Sequence, residues 1–276
     1  MYAYTFDNDY NQNQCVNICS LNINEIDILK FISGTYEERK EIALLFDKTF
    51  QEFESVANYK GQKKASTSDS IEAFFYSLSN LHQNNSIFTI DKLPELFRHV
   101  IPEYILKARQ LVSYVHSIAD MALELDENTF EQNNTSNNAS FTLRLTKYLP
   151  TKNEEQLAFG EHQDYLGFTL IQNDNVPGLE VNINERWFRV ESKPNTLLLV
   201  GGEFIERWTN NYWKAILHRV AAVKQLRYSV LFFSGPDMNC VIQTLPCKKC
   251  IKQQSKYIPI TAYEHLVQRQ IAATRN

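Results

Sequence analysis

The stretch Phe141-Thr-Leu-Arg-Leu-Thr-Lys-Tyr148 alternates apolar and polar side chains, the period-two signature of a strand with one buried face. The alternation returns within Phe168–Gln172, Leu179–Ile183, Trp187–Val190 and Arg227–Phe233, and Thr196–Val200 is a short apolar run. Asn184-Glu185 stands between two of these segments as a two-residue hairpin turn would. Several short strands separated by turn residues predict an all-β barrel or sandwich from residue 141 onward. A helix over Thr261–Ala273 comes after it.

Upstream of this β region the period changes. Ile42, Leu45, Phe46, Phe50 and Phe53 recur at helical spacing within Glu37–Phe53. Thr35, followed by Glu37 and Glu38, reads as that helix's start. A second helical region runs from Pro94 to Asp126, with Ala108, Leu111, Val112, Val115, Ile118 and Ala122 supplying most of its apolar face and Ile105 at the edge. Val16–Leu21 and Ser55–Tyr59 suit short strands. Residues 60–70 read as a polar loop, and Glu131–Ser140, a tract of Asn, Gln, Ser and Thr, as an exposed connection. Residues 1–130 are therefore expected to pack as a strand and helical region against a core spanning 141–276, the two forming one continuous functional domain.

Composition narrows the function classes. The 276 residues are 43% hydrophobic, enough for a sizeable core, and carry a net charge of -4. That balance gives no electrostatic case for a nucleic-acid partner, and no apolar run has the length of a membrane span. The polar, Asp-bearing Met1–Gln14 is not a secretory signal, so a cytoplasmic setting is the expectation. The oligomeric state is not readable. Five cysteines (Cys15, Cys19, Cys240, Cys247 and Cys250) are an odd number and argue against a disulfide framework. Cys247-Lys-Lys-Cys250 is half of a zinc ligand set at most, and free thiols are the simpler expectation.

Chemistry concentrates in Glu161-His162-Gln163-Asp164 and in two segments downstream of it. His162 and Asp164 are two apart, so an extended chain turns both to one face. His218 opens another apolar segment. Two imidazoles and one carboxylate form the donor set that holds non-haem iron(II) while leaving positions for further ligands. Arg227-Tyr228-Ser229 lies nine residues beyond His218. On a strand, Arg227 and Ser229 share a face, and a guanidinium beside a hydroxyl is a receptor for a carboxylate. On this reading His218 and Arg227 occupy neighbouring strands. Phe233 shares the face of Arg227 and Ser229 and is the candidate for a substrate-pocket wall.

These pieces stand in an order that resembles the isopenicillin N synthase-like 2-oxoglutarate/Fe(II)-dependent dioxygenases. Leu143 through Pro150 looks like the strand that supplies a tyrosine, here Tyr148, to 2-oxoglutarate. His162-Gln-Asp164-Tyr-Leu-Gly-Phe-Thr-Leu-Ile171 looks like the metal-binding strand. Val176-Pro-Gly178-Leu-Glu-Val181 resembles the next hairpin. Trp208-Thr-Asn-Asn211 with His218-Arg-Val220 is similar to the segment of the distal histidine, and Arg227-Tyr-Ser229 fits the cosubstrate element. The resemblance covers 141–269 and is looser upstream. Phe53–Gly61 lacks a Gly-Phe pair and a histidine of the family pattern, Gly202-Glu203 stands where Gly-Asp is usual, and residues 60–93 have no clear counterpart.

The resemblance implies a mainly β fold with flanking α helices, built on a double-stranded β-helix (jelly roll, cupin-like) core. It implies an oxidoreductase that binds iron(II) through His162, Asp164 and His218 and takes 2-oxoglutarate as cosubstrate through Arg227, Ser229 and Tyr148. Dioxygen, and in some relatives ascorbate, complete the reactants. The implied reaction hydroxylates, desaturates or cyclises a small organic molecule, releasing succinate and carbon dioxide. Two other readings remain open: an iron oxidase of the same family that dispenses with 2-oxoglutarate, and a non-catalytic jelly-roll binding protein.

Overall fold

The computed structural model describes residues 20–21, 25–52, 71–77, 93–134 and 139–275. Two five-stranded sheets dominate it. The first runs, edge to edge, through β1 (Ser20–Leu21), β7 (Arg186–Val190), β6 (Leu179–Ile183), β9 (His218–Val220) and β4 (Phe159–His162). The second runs through β2 (Ile71–Ser77), β3 (Ala139–Tyr148), β10 (Arg227–Asp237), β5 (Phe168–Asn173) and β8 (Leu198–Gly201). All pairings within them are antiparallel except β1 with β7. A short pair, β11 (Val241–Ile242) and β12 (Ile260–Thr261), stands apart. The sheets do not close into a barrel, and the expected jelly-roll sandwich is the architecture observed. Its helices are α1 (Ile28–Ser33), α2 (Tyr36–Glu52), α3 (Glu95–Ala122), α4 (Thr129–Asn134), α5 (Glu203–Trp208) and α6 (Ala262–Arg275).

Alternation in β3 and β10 assigns each side chain to a layer. On the outward face, Phe141, Leu143 and Phe232 meet Ile105, Ala108 and Val112 of α3, so the helix stripe read from the sequence is the one buried here. Phe141 and Phe232 stack at 5.6 Å. On the inward face, Leu231 packs with Ile171 and Val200, and Ile216 and Phe233 join them. β10 is thus covered on both sides, as a central strand should be. Asn184 and Glu185 take φ of 48° and 65° between β6 and β7, the left-handed pair that a tight two-residue hairpin requires.

Three elements differ from expectation. Ile71–Ser77 is a strand, paired along its length with β3 in the register Phe75↔Arg144 and Ile71↔Tyr148. Thr129–Asn134 is a helical turn where a connection was expected. Phe130, only 1% exposed, is buried in the core, and its amide donates to Asp120 Oδ1 at 2.9 Å, which together fix that turn. Cys247 and Cys250 are bonded as a disulfide with Cα atoms 5.2 Å apart, so neither is a free thiol or a zinc ligand. Of the proposed Val16–Leu21 strand, only Ser20–Leu21 is described. Ser55–Tyr59, the 60–70 loop, Cys15 and Cys19 lie outside the described residues.

The disulfide flanks a buried polar junction that ties α2 to the sandwich. Asp47 accepts from Trp213 Nε1 at 2.8 Å, Tyr212 Oη at 3.1 Å and Lys249 Nζ at 2.7 Å, and Lys249 also donates to the Ala122 carbonyl at 2.8 Å. Removing one partner of such a buried ion pair strands the other charge and two donors. Asp47→Ala is expected to destabilise the fold by roughly 3 kcal/mol, seen as a lower urea midpoint with an unchanged slope. A midpoint equal to that of the parent would show that the junction does not hold α2 in place.

Candidate metal and cosubstrate site

β4 and β9 pair so that His162 lies directly opposite His218, with Val181 of β6 on the other side of His218. The two imidazole centroids are 4.1 Å apart. Asp164 sits in the loop just past β4 rather than on the strand itself. Its Oδ1 is 3.8 Å from Nε2 of each histidine. One ligand atom from each of the three residues falls within 4.8 Å of the others, a spacing that accommodates a single ion.

The surroundings select the ligating atoms. His162 Nδ1 is 2.9 Å from the Gly160 carbonyl oxygen and His218 Nδ1 is 3.1 Å from that of Ile216. A carbonyl oxygen can only accept, so each Nδ1 carries the proton and each Nε2 keeps its lone pair for a metal. Burial, with His218 alongside, holds His162 down to about 3, so its ring is neutral at ordinary pH. Thr169 Oγ1 donates to Asp164 Oδ2 at 2.7 Å, leaving Oδ1 turned toward the histidines. Gln163 Nε2 donates to the Ala215 carbonyl at 2.6 Å, tying the loop to the approach of β9.

The first turn of α5 fixes the same loop from beneath. Helix-start amides have no partner within the helix. Here Gly202 N donates to Gly167 O at 2.7 Å, Glu203 N to Asp164 O at 2.8 Å and Phe204 N to Leu166 O at 3.1 Å. A Cβ at position 202 would collide with the carbonyl oxygens of Leu166 and Asp164, so glycine permits this approach. The Glu203 side chain in turn accepts from His265 Nε2 at 2.7 Å and Arg269 Nε at 2.6 Å of α6. The Glu that replaces the family's usual Asp thus anchors the terminal helix.

Arg227 is 1% exposed and faces the interior from β10. Its Nη2 donates to Asn173 Oδ1 at 2.6 Å, its Nε to Val176 O at 3.2 Å, and its guanidinium lies 4.7 Å from the Tyr148 ring centroid. Nη1 has no hydrogen-bond partner among the described residues. Gly178 leaves room for the arginine stem, since a Cβ there would come within 3.2 Å of Arg227 Cδ. Tyr148, opposite Arg227 in the β3–β10 register, has its Oη 3.0 Å from Ser229 Oγ. Thr146, opposite Ser229, has a buried hydroxyl that likewise lacks a partner among the described residues.

The residues read from spacing therefore form two assemblies, His162–Asp164–His218 and Arg227–Ser229, and Tyr148, which the resemblance added, joins the second. They are not on neighbouring strands, however. His218 is in the first sheet and Arg227 in the second, so the sandwich is what faces them toward a common interior. Phe233 lies on the interior face with Leu231. Sequence reading missed Asn173, Thr146 and Thr169. Thr146 and Thr169 fall on the inward positions of their strands, a signal that alternation offered.

Residues 139–236 match the model of the 2OG-Fe(II) oxygenase superfamily. It is 28% identical over 167 residues to gibberellin 2-beta-dioxygenase 1 of Arabidopsis thaliana, covering 56% of this chain and 51% of that protein. It is 26% identical over 185 residues to leucoanthocyanidin dioxygenase of Vitis vinifera, covering 66% and 51% respectively. The chain spans about half the length of the curated relatives it matches. A full-length Neurospora crassa protein, crystallised in complex with alpha-KG and thymine, shares the fold, with a TM-score of 0.76, 20% identity and coverage of 90% of this chain and 96% of that one. The relatives are oxidoreductases of the dioxygenase type, and the family's reactants are iron(II), 2-oxoglutarate and dioxygen. No helix of the described residues is long and apolar enough to cross a membrane.

The Thr169 hydroxyl holds Asp164 Oδ2 in place, and supports of this kind tune metal affinity. Thr169→Val keeps the shape and deletes the donor. Divalent-metal affinity is expected to fall by roughly tenfold or more, measured by competition with a chromogenic chelator. Unchanged affinity would show that the Asp164 carboxylate is oriented without it.

Proposed function

We propose that this chain is an iron(II)- and 2-oxoglutarate-dependent dioxygenase acting on a small organic substrate. The observation that carries the reading is a buried cation with no counter-charge beside a metal-competent donor set. Among the described residues no carboxylate pairs with Arg227, whose contacts are to a carboxamide, a carbonyl and a ring. An unpaired buried guanidinium costs free energy, and an arriving carboxylate would relieve it. The unpartnered Arg227 Nη1 and Thr146 Oγ1 fit the far carboxylate of 2-oxoglutarate, with Ser229 and Tyr148 as further hydroxyl contacts.

His162, Asp164 and His218 would hold the iron through two neutral imidazoles and one carboxylate. When bound, iron(II) with 2-oxoglutarate and dioxygen supplies an oxidative decarboxylation to succinate and carbon dioxide, coupled to hydroxylation, desaturation or ring closure of the substrate. The chain's own part is orientation and exclusion of water. Arg227, Ser229 and Tyr148 orient the cosubstrate by its charged end. Leu231, Ile171, Val200 and Ile216 make the space between the sheets apolar, and Phe233 is positioned as a wall for the substrate. We treat 1–130 and 141–276 as one functional unit, supported by the pairing of β2 with β3, which makes an upstream segment part of the sandwich.

Anaerobic addition of iron(II) and then 2-oxoglutarate, followed by visible absorption, tests the reading. A weak charge-transfer band that needs both additions is expected. Iron binding without the band would favour an oxidase that dispenses with 2-oxoglutarate, and no iron binding would leave a non-catalytic jelly roll. Asp164→Ala should remove most iron binding and turnover, and undiminished succinate release would reject the ligand assignment. Arg227→Ala should raise the 2-oxoglutarate requirement roughly ten- to hundredfold; an unchanged requirement would remove Arg227 from the cosubstrate site.

A further inference from the structure

A cavity of about 760 Å³ lies among α1, α2 and the C-terminal half of α3. No residue of either five-stranded sheet lines it, so it is separate from the space that faces the metal ligands and Arg227. Sites for small molecules span roughly 300–1,000 Å³ and combine apolar walls with a few convergent polar groups. This cavity has both. Ile32, Tyr36 and Leu44 are exposed apolar residues along its wall, and the short side chains of the buried Ala43 and Ala122 leave room between α2 and α3.

Two groups of opposite charge line the cavity with hydrogen-bonding capacity unused. Asp120 of α3 is 3% exposed. Its Oδ1 accepts the Phe130 amide at 2.9 Å, which is all that the α4 turn requires of it. Oδ2 is equally buried and has no hydrogen-bond partner among the described residues. Burial pushes the Asp120 carboxyl up to about 6, against the amides of Phe130, Asn128 and Thr129, which favour its charged form. It is therefore ionised at neutral pH, at a cost that a bound cation offsets. Arg39 of α2 supplies the second group. Its Nε is buried without a hydrogen-bond partner, and no carboxylate among the described residues pairs with it. Lys249 also reaches the cavity, but it is already engaged by Asp47 and the Ala122 carbonyl.

We propose that this cavity is a second ligand site, which takes an α-amino acid with a large apolar side chain. The ammonium donates to Asp120 Oδ2 and the carboxylate accepts from Arg39. The side chain lies against Phe31, Met121 and Leu125. The paired charges select a zwitterion. A simple amine leaves Arg39 unmatched, and a simple acid leaves Asp120 unmatched.

The test is calorimetry on the full chain, with excess 2-oxoglutarate so that no probe is drawn to Arg227. The probes are phenylalanine, leucine, and two truncated relatives of the first, phenethylamine and 3-phenylpropionate. Both amino acids should bind saturably, and phenylalanine should bind roughly tenfold or more tightly than either truncated compound. Asp120→Asn keeps an acceptor for the Phe130 amide and should abolish the advantage of phenylalanine over 3-phenylpropionate. Arg39→Met should abolish its advantage over phenethylamine. Arg39 is part-exposed, so this second variant tests the site even where Asp120→Asn fails to fold. No saturable binding of either amino acid, truncated compounds that bind as tightly as phenylalanine, or an advantage that survives its own variant would overturn the proposal. None of these outcomes touches the dioxygenase reading, which stands or falls on iron(II) and 2-oxoglutarate binding.

Discussion

Everything at the proposed centre depends on the antiparallel pairing of two very short strands, β4 and β9, which sets His162 opposite His218. Two imidazoles with centroids 4.1 Å apart cannot both be protonated without repulsion. Burial keeps His162 neutral, and backbone carbonyls at each Nδ1 settle which nitrogen stays bare. Strands of four and three residues would not hold such a register alone. They are held by the Gln163 side chain on the Ala215 carbonyl and by the α5 amides on the 164–167 loop. The helix start obtains partners it needs, and the loop obtains a rigid floor. The site is therefore a by-product of satisfying backbone groups that would otherwise be buried without partners.

The strands of the core are legible in the sequence because each has a buried face and a fixed period. Phe141–Tyr148, Arg227–Phe233 and the Asn184-Glu185 turn all fall where alternation and turn chemistry put them. The same rule exposes which residues share a face but says nothing about which strands become neighbours. That is why His218 and Arg227 were expected side by side and are instead in opposite sheets. Ile71–Ser77 went unread because Phe74, Phe75 and Tyr76 run together and hide the alternation; only its pairing with β3 separates Phe74 outward from Phe75 inward. Phe130 is similar, a single apolar residue in a polar tract whose burial depends on packing that no local pattern encodes. The disulfide between Cys247 and Cys250 closes a three-residue separation that the sequence, with an odd number of cysteines, favoured reading as free thiols until the backbone geometry is known.

Two arginines of the sandwich show how environment, rather than residue type, assigns a role. Arg219 lies 3.9 Å over the Trp187 ring and pairs with both Glu180 and Glu161. Its charge is already balanced by two carboxylates, one of them fully buried, and what it contributes is the cohesion of the first sheet. Arg227 is buried as deeply as the core, and among the described residues its contacts are to neutral groups only. A charge held in a low-dielectric interior without a partner is costly in the empty protein and valuable once a ligand brings the counter-charge. The sequence singles out Arg227 by its neighbour Ser229, and the contacts of the two arginines in the fold separate them by charge balance.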